Sequence, residues 1–280
     1  MIKIVTDTAS DITPAQAEAM DVQLAEIGVI FSGIPFQSDD ETFREFYRKL
    51  EVSKELPTTS QPSPEAFLDV YNQAKEAGGS VIVITLSSGL SGTYQSATIA
   101  KDMVRYDGIH VVDTRSAIIG QRLLVEQAAK MRGEGKSAEE IVAWLEDARE
   151  RLVLFGALDT LKYLRKGGRI PKSAEMLGTM LGIKPIITIN PEGKIELVGK
   201  SRGHAGMIAM VIKQIKERSD DFDETTPLYV GYTYEQKLCD QFLEALHEAY
   251  DVETSVHPVG AVVGTHIGPG AFAVAYLAKQ

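Results

Sequence analysis

Ser80-Val81-Ile82-Val83-Ile84-Thr85-Leu86 runs directly into Ser87-Ser88-Gly89-Leu90-Ser91-Gly92-Thr93-Tyr94, and this junction decides the fold. The first stretch is a short apolar run, mostly β-branched, with no polar alternation. That pattern suits a strand buried on both faces, as in a parallel sheet covered by helices. The second stretch is a glycine–serine loop that opens a helix at about Thr93 to Val104. A loop between a parallel strand and its crossover helix lies at the carboxyl edge of the sheet, where ligands collect.

The same alternation continues on either side. Lys3 to Thr6 reads as a strand, followed by turn and cap residues Asp7, Thr8, Ser10 and Asp11 and by a helix from Pro14. Proline fits the first helical turn because its missing N–H has no partner to lose there. Val22 to Phe31 reads as extended, Thr42–Leu50 and Pro64–Glu76 as helices, and Ile109 to Val112 as a strand. Helices at about Gly120–Arg132 and Ala138–Arg151 follow. Short apolar strands alternating with helices imply a parallel sheet with crossovers. After Arg151 the pattern changes: strands at Leu152–Leu158 and Pro185–Ile189 precede the turn Asn190-Pro191-Glu192-Gly193 and a strand at Ile195–Val198, a hairpin signal. Strands at Leu228–Tyr232 and Ala271–Leu277 and helices at about His204–Arg218 and Gln236–Tyr250 complete a mixed half. The expected fold is α/β with two domains, a parallel-sheet α/β/α unit over 1–151 and an α+β unit over 152–280.

The 280 residues and 44% hydrophobic content suffice for such cores. A net charge of −10 argues against a nucleic-acid binder, which needs a basic face to displace counterions from phosphates. The single cysteine, Cys239, excludes an intrachain disulfide framework and a cysteine-based zinc site. Its surroundings, Gln236 to Phe242, read as a helix that packs it. Met1-Ile2-Lys3-Ile4-Val5 enters a strand without a signal-peptide pattern, so a cytoplasmic location is expected. The apolar stretch from Val259 to Ala278 is interrupted by glycines and Pro269, and reads as core strands around a functional loop rather than a membrane span.

Five segments could carry chemistry. In Ser87 to Tyr94, backbone N–H groups beside Gly89 and Gly92, a helix N-terminus and hydroxyls including Ser88 and Ser91 suit an anion; a serine-capped flexible turn is the plain alternative. It is not a nucleophile elbow, because Thr93 stands where Gly-x-Ser-x-Gly needs its last glycine. Nor is it a P-loop, which needs Gly-Lys before Ser or Thr. In Pro57-Thr58-Thr59-Ser60-Gln61-Pro62-Ser63-Pro64, three prolines stiffen the chain and could pre-aim hydroxyls. Ser63 before Pro64 reads as a helix cap, which leaves Thr59 and Ser60 free. Asp7-Thr8-Ala9-Ser10-Asp11 lacks the second aspartate of an aspartyl-phosphate site and reads as a turn. The basic stretches Leu164 to Ile170 and Gly199 to Gly203 could meet phosphate or an acidic partner, or be solvated loop charge. In Gly260 to Ala271, His266 lies among glycines that suggest close backbone approach, with no metal-ligand spacing to another histidine.

Taken together and in order, these segments resemble the DegV family. The matching motifs are Val5-Thr6-Asp7-Thr8-Ala9-Ser10-Asp11, Thr59-Ser60-Gln61-Pro62, Leu86 to Tyr94, Val112-Asp113-Thr114, Leu164 to Ile170, Lys184-Pro185-Ile186 and Gly264 to Ala271. The resemblance implies a two-domain, non-enzymatic protein that holds one long-chain fatty acid at the interdomain cleft, with no other cofactor. In some members the acid is presented to a fatty acid kinase, which makes an acyl-phosphate for phospholipid synthesis. The resemblance further implies that Thr59 and Ser91 bind the carboxylate with His266 nearby, that Ser60, Ser88, Gly89, Gly92 and Thr265 shape the supporting loops, and that Arg169 and Arg202 face the kinase or its phosphate. Met176, Leu177, Met180, Leu181, Ile183, Ile186 and Ile187, with the glycine- and alanine-rich tail segment, are candidates for the tunnel wall, with core packing equally plausible for any single one. Two other readings use the same loops: a hydrolase or phosphotransferase pairing Ser91 with His266, and a module that binds a phosphorylated ligand.

Overall fold

The computed structural model describes residues 1–37, 42–53, 55–171, 182–218 and 221–279. The buried run seen in the sequence is β6 of a four-stranded parallel sheet. That sheet contains β1 (Ile2–Asp7), β2 (Val22–Ala25), β6 (Ser80–Thr85) and β7 (Ile109–Asp113), in the order β2-β1-β6-β7. Every strand pair in it is parallel, so crossover helices must cover its faces. These are α1 (Pro14–Ala19), α3 (Glu65–Ala77), α4 (Thr93–Val104), α5 (Ile118–Gly133) and α6 (Ala138–Arg151). Sequence-visible caps set two of the helix starts, because Thr13 and Ser137 both close capping boxes. Ser63 does not cap α3: its side chain bonds Glu65 instead.

Val22 to Phe31 is not one extended element. The chain leaves the parallel sheet after β2, and β3 (Gly28–Phe31) pairs antiparallel with β4 (Ile34–Phe36) and with β5 (Thr58–Ser60) in a small separate sheet. The stiff proline-flanked segment around Thr59 is therefore an edge strand, with α2 (Phe43–Val52) between it and the hairpin.

Leu152 starts the second sheet directly after α6. It comprises β8 (Leu152–Ala157), β9 (Ile183–Ile189), β10 (Ile195–Arg202), β11 (Leu228–Tyr232), β12 (Thr254–Pro258) and β13 (Phe272–Leu277), in the order β10-β9-β8-β13-β11-β12. All pairs are antiparallel except β11–β12. The Asn190–Gly193 turn makes the expected hairpin, with Gly193 at φ +73°. One face of this sheet packs on α8 (Gly203–Arg218) and α9 (Lys237–Ala249), where Cys239 is buried and its thiol is pushed up to about 12.

The other face packs against α5, which also touches β1 and β6 of the parallel sheet. A helix held between two sheets buries most of its surface, and nine of the residues in α5 are buried, Gln121 and Arg122 among them. The two units therefore share one continuous core. The last helix, α10 (Ala261–Ile267), lies in a stretch read as strands and follows the short α7 (Lys162–Lys166); the two pack together. The fold is a two-domain α/β arrangement, as expected. Among the described residues no helix is long and apolar enough to cross a membrane.

Candidate functional site

The loop after β6 is pinned from below. Asp7 is buried and accepts hydrogen bonds from the backbone N–H groups of Leu86 (2.8 Å) and Ala9 (3.0 Å). Ser87 donates to the Gly193 carbonyl at 2.6 Å, tying the loop to the β9–β10 turn. Gly89 is needed there, because a Cβ would stand 2.4 Å from the Gly193 oxygen. Gly92 has a similar constraint: Gln61 donates to its carbonyl and to Ser96, joining the loop to β5.

With both loops fixed, Thr59, Ser91 and His266 line one recess of about 140 Å³, together with Arg169 and an apolar wall that includes Leu86, Leu90 and Ile267. Thr59 Oγ1 and His266 Nε2 are 2.8 Å apart. Ser91 Oγ lies 2.9 Å from Thr93 Oγ1. Burial, with the charge of Arg169 adding to it, lowers His266 to about 4, so the ring is neutral at physiological pH. Its Nδ1 is buried without a partner among the described residues. A bare acceptor is cheaper to bury there than an unmatched N–H. This favours the tautomer in which Nε2–H donates to Thr59, leaving the Thr59 hydroxyl hydrogen free for the recess.

Other sequence candidates fall nearby or elsewhere. Arg169 bonds the carbonyls of Leu90 and Gly167 and faces the recess directly. Arg202, at the end of β10, is exposed and does not line the recess. Ser60 and Ser88 are exposed, and the Ser88 N–H donates to Asp113. The Thr265 hydroxyl is spent on the Ala261 carbonyl inside α10. The glycines around His266 do mark close approach, but to protein. A Cβ on Gly264 would stand 2.5 Å from the Tyr47 hydroxyl, and one on Gly268 2.2 Å from the Tyr163 ring. Ile186 and Ile187 are buried in the cores on opposite faces of the second sheet and do not line the recess. Met176, Leu177, Met180 and Leu181 lie outside the described residues.

For hydrolysis, the geometry lacks two parts among the described residues: a Ser91–His266 hydrogen bond, and an acid on His266 Nδ1.

A second cavity of about 580 Å³ adjoins the recess, and Ile27 and Val262 line both. Leu24, Val29, Ile30, Phe36 and Phe43 supply much of its wall. Asp11 also lines it, a residue whose motif was read from sequence only as a turn. Its Oδ1 accepts the Gly260 N–H at 2.9 Å, which fixes the start of α10, while Oδ2 is buried with no partner among the described residues. Burial raises Asp11 to about 7 and Asp7 to about 6. Arg122, which donates to the Asp11 carbonyl, only partly offsets this.

An acid with a raised folded pKa binds its proton more tightly folded than unfolded. Its contribution to stability is therefore complete at low pH and falls as pH rises from the ordinary carboxylate range near 4 through the folded value. Buried His266 and His257 act in the opposite sense below about pH 6.5, so Asp11 must be isolated by substitution. Asp11→Asn keeps the acceptor for Gly260 and should gain on the wild type by a few kcal/mol between pH 4 and pH 7.5. Urea unfolding at both values checks this; a pH-independent difference would contradict it.

The family model for the DegV family, described as uncharacterised protein, matches residues 1–279. A DegV domain-containing protein from Caldanaerobacter subterraneus is 34% identical over 99% of both chains. A fatty-acid-binding DegV family protein of known structure from Thermus thermophilus is 32% identical, with TM-score 0.89 over 99% of each chain. A stearic-acid-binding protein from Eubacterium ventriosum is 29% identical, with TM-score 0.86 over 100% of this chain and 99% of its own.

Proposed function

The chain belongs to the DegV family, and from that premise we propose that it binds one long-chain fatty acid. Thr59 and Ser91 donate hydrogen bonds to the carboxylate, His266 orients Thr59, and the acyl chain occupies the adjoining cavity. The observation that carries this reading is that the Thr59–Ser91–His266 recess lies beside a larger, mainly apolar cavity, with Ile27 and Val262 lining both. Relatives of the same fold that bind fatty acids support it. Burial discourages a charge on Asp11, which suits a cavity meant for hydrocarbon. In this reading the chain divides at Arg151, with residues 1–151 and 152–280 as the two domains and the ligand in the cleft between them.

Neutral hydroxyl donors hold a carboxylate without blocking an incoming phosphoryl group. The protein is then a carrier, not an enzyme, and presents the acid to a fatty acid kinase. Arg169 stands beside the head group and Arg202 on the surface as contacts for that kinase or its phosphate. Each hydrogen bond to a charged acceptor contributes about 1.5–3 kcal/mol. Thr59→Ala and Ser91→Ala should therefore each weaken fatty-acid binding by about 1–3 kcal/mol, measured by calorimetric titration. Unchanged affinity in both variants would overturn the head-group assignment. For the carrier role, a fatty acid kinase with ATP should convert the bound acid to acyl-phosphate; no conversion by any kinase of this type would confine the protein to storage or buffering.

A further inference from the structure

The carboxyl edge of the parallel sheet carries another, smaller recess, bounded by the same β9–β10 turn. It encloses about 70 Å³ and is walled largely by polar groups: Arg115 and Ser116 after β7, Arg149 and Glu150 of α6, Asn190 of the turn, and Arg218 at the end of α8. We propose that this recess binds a small oxyanion of the phosphate type, independently of the fatty-acid site.

Three guanidinium groups meet there against one lining carboxylate, in a chain whose net charge is −10. Glu150 Oε1 takes both Arg115 Nη1 (2.9 Å) and Arg149 Nε (3.3 Å), which orients two of the forks without using their remaining N–H groups. A second Arg149 donor goes to the Asp113 carbonyl at 3.2 Å. Arg218 is exposed, and its guanidinium makes no hydrogen bond or ion pair among the described residues. Asp113 is nearby but does not line the recess, and its Oδ1 accepts the backbone N–H groups of Ser88 and Arg115.

The second, independent sign is Ser116. It lines the recess, is 2% exposed, and its hydroxyl has no partner among the described residues. Buried hydroxyls are nearly always hydrogen-bonded, so a lone one in an arginine-walled recess marks the place of an acceptor. The volume is about that of two water molecules in the liquid, enough for one tetrahedral anion and too small for a nucleoside. Arginine forks match phosphate oxygens in pairs, which selects such an anion over chloride.

Calorimetric titration of the whole chain with sodium phosphate, against sodium chloride at equal ionic strength, tests this. One phosphate per chain should bind saturably. Affinity should fall about tenfold or more in Arg218→Gln and in Arg115→Gln, while fatty-acid loading stays unchanged. A parallel titration with glycerol phosphate separates the sources: tighter binding points to a phosphate ester, equal binding to the free anion. Phosphate heats no larger than those of chloride, or equal affinity in both variants and the wild type, would overturn the site whatever the fatty-acid result.

Discussion

Shortening the ligand from sixteen carbons to ten should weaken binding by about three orders of magnitude. Each methylene moved from water into an apolar enclosure contributes roughly 0.8 kcal/mol, so six of them contribute about 5 kcal/mol. The head-group bonds, at about 1.5–3 kcal/mol each, are the same for every chain length. The larger cavity, about 580 Å³ and lined by Leu24, Ile30, Phe36 and Phe43 among others, is where those methylenes would be buried. A titration series of saturated acids should give a steady decrease in affinity per carbon removed. An affinity flat across the series would mean that the chain stays in solvent, leaving the head-group recess alone to bind.

Gly268→Ala should cost about 3–5 kcal/mol of stability and, in the protein that still folds, most of its fatty-acid uptake. Gly268 ends α10 at φ +74° and ψ −177°, a region occupied essentially only by glycine. A Cβ there would also stand 2.2 Å from the ring of Tyr163, a buried residue of α7. Relief requires α10 to shift, and α10 carries His266, whose bond to Thr59 spans 207 residues. Chemical denaturation measures the stability loss, and a variant within 1 kcal/mol of wild type would contradict it. Gly133→Ala is a control, because a Cβ there meets nothing within 4 Å.

The parallel sheet was legible because β6 is a buried β-branched run and because Pro14 marks the start of the first helix. Helix α10 was not. Gly264 and the β-branched Val262, Val263 and Thr265 oppose a helix locally, and it forms because packing against Tyr47 and Tyr163 demands small residues. Strand β5 was hidden for the same kind of reason. Prolines flank it, and only pairing with β3 makes it a strand. The recess draws on residues as far apart as Thr59 and Ile267, so no spacing rule could assemble it, and only the resemblance to a family named its members in advance. The two basic stretches looked alike in sequence. Folding separates them, with Arg169 on the recess and Arg202 on the surface. The buried carboxyl of Asp11 was invisible as chemistry, since burial and not residue order raises its pKa.

The most direct test of the central claim is native mass spectrometry of the freshly purified chain, followed by denaturation and identification of the released lipid. The account predicts one long-chain fatty acid per chain, either carried through purification or taken up from a stoichiometric addition. A chain that arrives empty and stays empty when fatty acid is supplied would contradict it.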